Sequence, residues 1–145
     1  MKLAGKPGYG RERVGVLDAG VVVTRLDPTR RGHADAIRLF EVARTATLQL
    51  VISTVNLAEA LEHSRKYTLA SGVDLVVALQ AFRVDFELPD VGIARRVAAL
   101  AAIEDVSLAD RFALAAAQER RARLFTTDAV LARAALRLKL PTTRL

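Results

Sequence analysis

Cysteine and tryptophan are absent from this chain, and its 145 residues include only one methionine and two histidines. Without cysteine there can be no disulfide, no zinc–thiolate site and no thiol nucleophile, and a reducing cytoplasm is the expected setting. The two histidines, His33 and His63, have no partner at ligand spacing, so softer metals find no donor set. The GxxxxGK[ST] phosphate loop is also missing, which excludes an ATPase of that type. Hydrophobic residues make up 52% of the chain, yet no 18-residue stretch is free of charge, so a membrane-spanning helix is not expected. A positively charged start followed by an apolar stretch and small residues is lacking too, which argues against a signal peptide or anchor. Two tyrosines and five phenylalanines are the only aromatic residues, too few for base stacking to govern recognition of a nucleic acid.

What is present begins with size and charge. The length suits one domain that buries roughly two thirds of the surface of its unfolded chain. A net charge of +6 and a pI near 10.5 come mostly from arginine, whose guanidinium suits bidentate phosphate contact. A basic surface also concentrates polyanions, although an arginine- and alanine-rich composition alone would produce the same balance. Residues 1–13, with three glycines, a proline and four basic residues, read as a flexible leader. Residues 14–145 read as a single domain.

The stretch from Ser107 to Val130, SLADRFALAAAQERRARLFTTDAV, organises that domain. Leu108, Phe112 and Ala115 to Ala117 stand at helical spacing, and Leu124-Phe125-Thr126 has the character of a short buried parallel strand. Asp110 then falls in the first turn of the helix and Asp128 just beyond the strand. Such α/β units gather ligands at the carboxyl ends of their strands.

Other acids are expected at the same edge. Val14 to Leu17 is a β-branched strand ending at Asp18, followed by a turn and a short helix. Gly32 to Thr45 is an amphipathic helix, with His33 at its start as a solvated or capping residue. Leu48 to Ile52 is a second strand, and Ser53-Thr54 starts a helix that carries Glu59. Glu62 to Arg83, broken at Ser71-Gly72, predicts a helical hairpin, with His63 on the surface. Val84 to Leu88 is a third strand, Pro89 the first residue of a helix that extends through Asp90 to Ala102, and Ala129 to Lys139 a last helix stopped by Pro141. Thr142 to Leu145 is a short edge strand. The alternation βαβααβαβα predicts a three-layer α/β/α domain with a mostly parallel sheet.

Taken singly, each acid has a structural explanation. Ser107-x-x-Asp110 and Asn56-x-x-Glu59 fit capping boxes, Asp128 fits an N-cap, and Asp18 before a glycine fits a turn. Taken together, four carboxylates recur at one sheet edge, where they would repel one another unless protonated or neutralised by a cation. Hard carboxylate oxygens suit Mg²⁺ or Mn²⁺. Two such ions about 3.5–4 Å apart can activate water and stabilise the leaving oxygen of a phosphodiester. A haloacid-dehalogenase-type phosphatase fits less well, because the position two residues after Asp18 is Gly20.

The run Val16-Leu17-Asp18-Ala19-Gly20-Val21, the segment from Ile52-Ser53 through Leu57-Ala58-Glu59-Ala60-Leu61, Ser107-Leu108-Ala109-Asp110 and Thr126-Thr127-Asp128 together resemble the PIN domain. More narrowly, the chain is similar to the VapC-type toxins of bacterial and archaeal toxin–antitoxin pairs. The resemblance spans about Val14 to Leu138. It implies a PIN-like fold and a Mg²⁺- or Mn²⁺-dependent endoribonuclease whose metals are held by Asp18, Glu59, Asp110 and Asp128. Thr126 would orient the last carboxylate or a metal-bound water. The implied partners are an RNA substrate, a cognate antitoxin and a second copy in a homodimer, with no membrane. Arg111 is the expected substrate contact beside Asp110, with Arg95, Arg96, Arg120, Arg121 and Arg123 as further phosphate contacts. Where many relatives carry an aromatic residue shortly after the last aspartate, this chain has Ala129-Val130-Leu131. The alternatives are an RNA-processing PIN nuclease outside a toxin system and a non-cleaving PIN-like binding module.

Overall fold

In a computed structural model, residues 13–45, 47–67 and 74–145 are described. Five strands form one sheet: β1 (Val14–Leu17), β2 (Gln49–Ser53), β3 (Asp85–Glu87), β4 (Arg123–Thr126) and β5 (Thr142–Arg144), in the order β3-β2-β1-β4-β5. Every pairing is parallel. Among the described residues, seven α-helices connect and flank the strands: α1 (Ala19–Leu26), α2 (His33–Arg44), α3 (Thr54–Ser64), α4 (Leu75–Ala81), α5 (Val91–Ala99), α6 (Leu108–Arg120) and α7 (Ala129–Arg137).

Alternation along the strands separates two cores. Leu17 of β1 and Phe125 of β4 point into one apolar cluster, with side chains of α1 to α4. Val16 and Leu124, their chain neighbours, point into the other, with α5, α6 and α7. Both faces of the sheet are therefore covered, as the three-layer expectation requires, and the strands are apolar on both sides. Gly15 is needed where β1 passes β4: a Cβ there would stand 2.5 Å from Phe125 Cε2.

Several boundaries differ from the expectations. Pro89 precedes α5 instead of opening it, because Asp90 supplies the cap by accepting from Ile93 N at 2.9 Å. This helix ends at Ala99 and tightens into a 3₁₀ turn over Leu100–Ala102. The third strand is shorter than Val84 to Leu88. Of the expected hairpin, α3 and α4 are observed, while the break at Ser71-Gly72 lies outside the described residues, as does the leader apart from Arg13. The carbonyl of Arg13 already accepts from Gln49 N at 2.8 Å, so the sheet's hydrogen bonding begins one residue before the domain boundary read from sequence. No described helix is long and apolar enough to cross a membrane.

Candidate active site

The four acids occupy the carboxyl edge of the sheet; Asp18 and Asp128 are helix caps, and Asp110 lies in the first turn of a third helix. Asp18 follows β1 directly. Its amide donates to Phe125 O at 3.1 Å, fixing it against β4, and its Oδ1 accepts from Val21 N at 3.0 Å to cap α1. Its Oδ2 accepts from the Thr126 hydroxyl. That same hydroxyl oxygen accepts from Asp128 N at 2.9 Å. Thr126, wholly buried, thereby ties the carboxylate of the first acid to the backbone of the last.

Asp128 caps α7, with Oδ1 accepting from Val130 N at 2.7 Å and from Leu131 N at 3.3 Å. Its Oδ2 has no hydrogen-bond partner among the described residues. Asp110 lies in the first turn of α6, whose cap is Ser107, with Asp110 N donating to Ser107 Oγ at 3.1 Å. The capping roles anticipated for Asp128 and for Ser107-x-x-Asp110 are thus real, and they do not compete with a shared site. Caps belong at helix amino ends, and in a parallel α/β unit those ends lie at the carboxyl edge of the sheet.

The Asn56-x-x-Glu59 capping box is not formed. Ser53 caps α3, accepting from Val55 N at 3.3 Å. Asn56 is instead fully buried and donates through Nδ2 to Ala109 O at 2.9 Å, joining α3 to the first turn of α6. Asn56 therefore sets the approach of the helix bearing Glu59 to the helix bearing Asp110. Sequence offered only its spacing from Glu59 as a signal, and that spacing pointed to the wrong role.

Electrostatics show how close the acids are. Asp18 is 4% exposed, and burial pushes its carboxyl up to about 6; bonds from Thr126 and Val21 oppose the rise, while Asp110 and Asp128 add to it. Half-buried Asp110 is raised by burial and by Asp128, against the opposing bonds from Ser107. Glu59 is raised by burial first and then by Asp110. Asp110 is the common neighbour, coupled to each of the other three. These groups disfavour carrying their charges together, the condition a cation relieves.

The donor chemistry fits a hard divalent ion: every donor is a carboxylate oxygen, with no thiolate and no paired imidazole. The acids are neighbours without forming a closed cage, and among the described residues no three acidic or histidine side chains stand ready to enclose an ion.

Around this edge, a cavity of about 160 Å³ is lined by Ala19, Gly20, Val23, Arg30, Glu59 and His63. His63, read from sequence as a surface residue, stands one turn beyond Glu59 on this wall, with Nδ1 at 2.9 Å from Glu59 O. His33 is a tether, its Nδ1 lying 2.9 Å from Thr24 O. Gly20 is required by close approach, since a Cβ there would overlap the Thr127 hydroxyl and come within 3.3 Å of Asp18 Oδ1.

The basic residues are less well placed than the acids. Arg111 follows Asp110 on α6 and is half-buried, with a buried Nε that has no hydrogen-bond partner among the described residues. Arg96 pairs with Glu119 at 3.0 Å and Arg120 with Glu87 at 3.3 Å. Asp110 and Arg120 are separated along α6 by about 15 Å, and β4 runs back from Arg123 to Thr126. Arg121 and Arg123 consequently stand at the amino edge of the sheet, away from the acids. Arg95 is exposed on α5.

A family model described as the PIN domain matches residues 15–136. Among solved structures, this chain is similar to the Mycobacterium tuberculosis VapC20 toxin, described as cleaving the sarcin–ricin loop, with a TM-score of 0.64 at 16% identity over 83% of this chain and 94% of that one. A toxin–antitoxin complex from Klebsiella pneumoniae gives a TM-score of 0.58 at 21% identity, covering 79% of this chain and 86% of that one. FitAcB from Neisseria gonorrhoeae gives 0.61 at 16%, covering 90% and 96%. No curated protein matches this chain in sequence.

Proposed function

Because the chain belongs to the PIN domain family, we propose that it is a divalent-metal-dependent endoribonuclease and the toxin of a toxin–antitoxin pair. The observation that carries this reading is the coupled carboxylate set: Asp18, Glu59 and Asp110 all shifted upward, with Asp110 bearing on each of its neighbours. Asp18, Glu59, Asp110 and Asp128 would hold Mg²⁺ or Mn²⁺. A bound cation of this kind would act as a Lewis acid and generate a nucleophilic water.

The chain's own residues orient the donors. Thr126 holds Asp18 through its carboxylate and Asp128 through its amide, so the two acids keep a fixed relation. The cap bonds use Oδ1 of Asp18 and Asp128. Oδ2 of Asp128 stays free for a ligand, while Asp18 can offer Oδ2 with the Thr126 bond retained. Asn56 locks α3 to α6 and with it the spacing of Glu59 and Asp110. Arg111 supplies positive charge beside Asp110 for a substrate phosphate.

The structural neighbours include a toxin described as cleaving the sarcin–ricin loop and a toxin–antitoxin complex, and these support a nucleic-acid loop as substrate, here taken as RNA, and an antitoxin as partner. An apolar cavity of about 100 Å³, lined by Val22, Arg25, Leu26, Phe40, Leu75, Ala78, Leu79 and Phe82, has room for a single apolar side chain of such a partner. A basic residue of the antitoxin could then reach the acids and take the place of metal. A homodimer, expected from the same family resemblance, belongs to this reading.

The test compares cleavage of an RNA hairpin, its unstructured isomer and its full duplex at two salt concentrations. Faster cutting of the single-stranded loop, slowing as salt rises, is expected. Equal rates on all three, or no cleavage under any metal condition, would refute the assignment. Expression without an antitoxin should arrest growth, and normal growth with abundant soluble protein would remove the toxin part of the reading.

A further inference from the structure

A cavity of about 410 Å³ lies beside the acids and is not used by the account above. Its lining is Arg31, Gly32, Asp35, Thr127, Arg144 and Leu145. The volume falls in the range of about 300–1,000 Å³ typical of ligand sites.

Its position follows from the topology. Arg144 pairs in register with Thr126 across β4 and β5, which puts it one strand spacing, about 4.8 Å, from the residue that holds Asp18 and Asp128. Thr127 lies between Thr126 and Asp128 and rests against Gly20. Gly20 in turn lines the smaller cavity containing Glu59. The two cavities therefore flank the acids, with the Gly20–Thr127 contact between them.

Backbone packing closes the floor of the larger cavity. Leu145 N donates to Thr126 O at 2.9 Å. Gly32 has φ +87, and a Cβ there would come within 3.0 Å of Leu145 C, so this position favours glycine for both conformation and space.

Charge identifies the ligand. Arg30, Arg38 and Arg44 are each paired with an acid on their own turn or helix. Among the described residues Arg31 and Arg144 have no ion pair, and both are exposed. Asp35, the one acidic side chain in the lining, bonds Arg38. Two uncommitted guanidinium groups and a hydroxyl around an open cavity suit an anion with several oxygens.

Resting on the nuclease reading, we propose that Arg31, Arg144 and Thr127 form a phosphate-binding subsite that holds the backbone of a single-stranded RNA beside the scissile bond. A strand crossing the acids would place its backbone on the β5 side in this cavity. Arg31 and Arg144 are substrate-binding residues that the family resemblance did not supply. Because they contact phosphate and not bases, they contribute affinity and register without selecting sequence.

The test measures binding of a roughly 12-nucleotide single-stranded RNA from about 50 to about 300 mM salt, in an Asp110→Asn background to prevent cutting. The variants are Arg31→Ala/Arg144→Ala, the charge-preserving Arg31→Lys/Arg144→Lys, and Arg121→Ala/Arg137→Ala as a control with the same charge loss. The alanine pair should weaken binding by about tenfold or more. Its salt slope should fall by about 1.4, since each released single-strand phosphate contributes about 0.7. The lysine pair should keep the slope, and melting temperatures should stay together. The inference is overturned if the alanine pair matches the control in affinity and slope; should the wild-type chain still cleave RNA, the nuclease reading survives that result. Absence of RNA binding and cleavage by the wild-type chain would overturn both.

Discussion

Replacing Asp18 with asparagine should stabilise the metal-free protein at neutral pH. Asp18 is raised from 3.8 to about 6 by burial, so between those values the folded state binds more protons than the unfolded one. Stability then falls as pH rises through this window, and the full penalty applies above about pH 6. About two units at 1.36 kcal/mol each correspond to about 3 kcal/mol. Asparagine escapes that penalty and can still cap α1 by accepting from Val21 N. It gives up the charge-assisted bond from Thr126, which offsets about 1 kcal/mol. The net gain of about 2 kcal/mol should raise the melting temperature by roughly 5 °C for a chain of this length. Urea or thermal denaturation in EDTA at pH 4 and pH 7.5 reads both the gain and its pH dependence. The gain should be present at pH 7.5 and gone near pH 4, where wild-type Asp18 is largely protonated in the fold. An Asp18→Asn variant less stable than wild type at pH 7.5, or one with the same advantage at both pH values, would refute the reasoning.

The remaining predictions concern the groups that hold the acids. Thr126→Val should lower kcat by about tenfold or more and cost roughly 1–3 kcal/mol, since a buried carboxylate and the Asp128 amide both lose their partner; Thr126→Ser should restore both in activity and melting assays. Gly20→Ala should cost about 1–3 kcal/mol and reduce cleavage, because its methyl group displaces the Thr127 hydroxyl and crowds Asp18. Asn56→Ala should destabilise by about 1–3 kcal/mol by leaving Ala109 O unpaired. It should also loosen α3 against α6, seen as a larger fractional loss in kcat than in the folded fraction.

The fold was legible because its signals are local. Short apolar runs ending at Asp18, Ser53 and Thr126 mark strands, and polar first turns mark the helices that follow, so the position of the acids could be read from the alternation of elements. Pro89 misled because the neighbouring Asp90 is a better cap, a competition settled by one hydrogen bond. The larger gap was in tertiary pairing. Nothing local shows that Asn56 bonds Ala109, 53 residues away, or that Thr126 serves two acids at once. Arg111 is the neighbour of Asp110 in sequence, and the other expected phosphate contacts lie on or beside the adjoining helices. Yet α6 carries Arg120 and Arg121 away from the site within three turns, while Arg144, far along the chain, returns to it through the parallel pairing of β5 with β4.

Cleavage of a single-stranded RNA loop by the wild-type, Asp18→Asn and Asp110→Asn chains, each assayed in EDTA and in Mn²⁺ or Mg²⁺, tests the central claim most directly. Cutting by the wild-type chain only when metal is present, with both variants inactive but folded, is the predicted result. Cutting at wild-type rates by both variants in EDTA would contradict it.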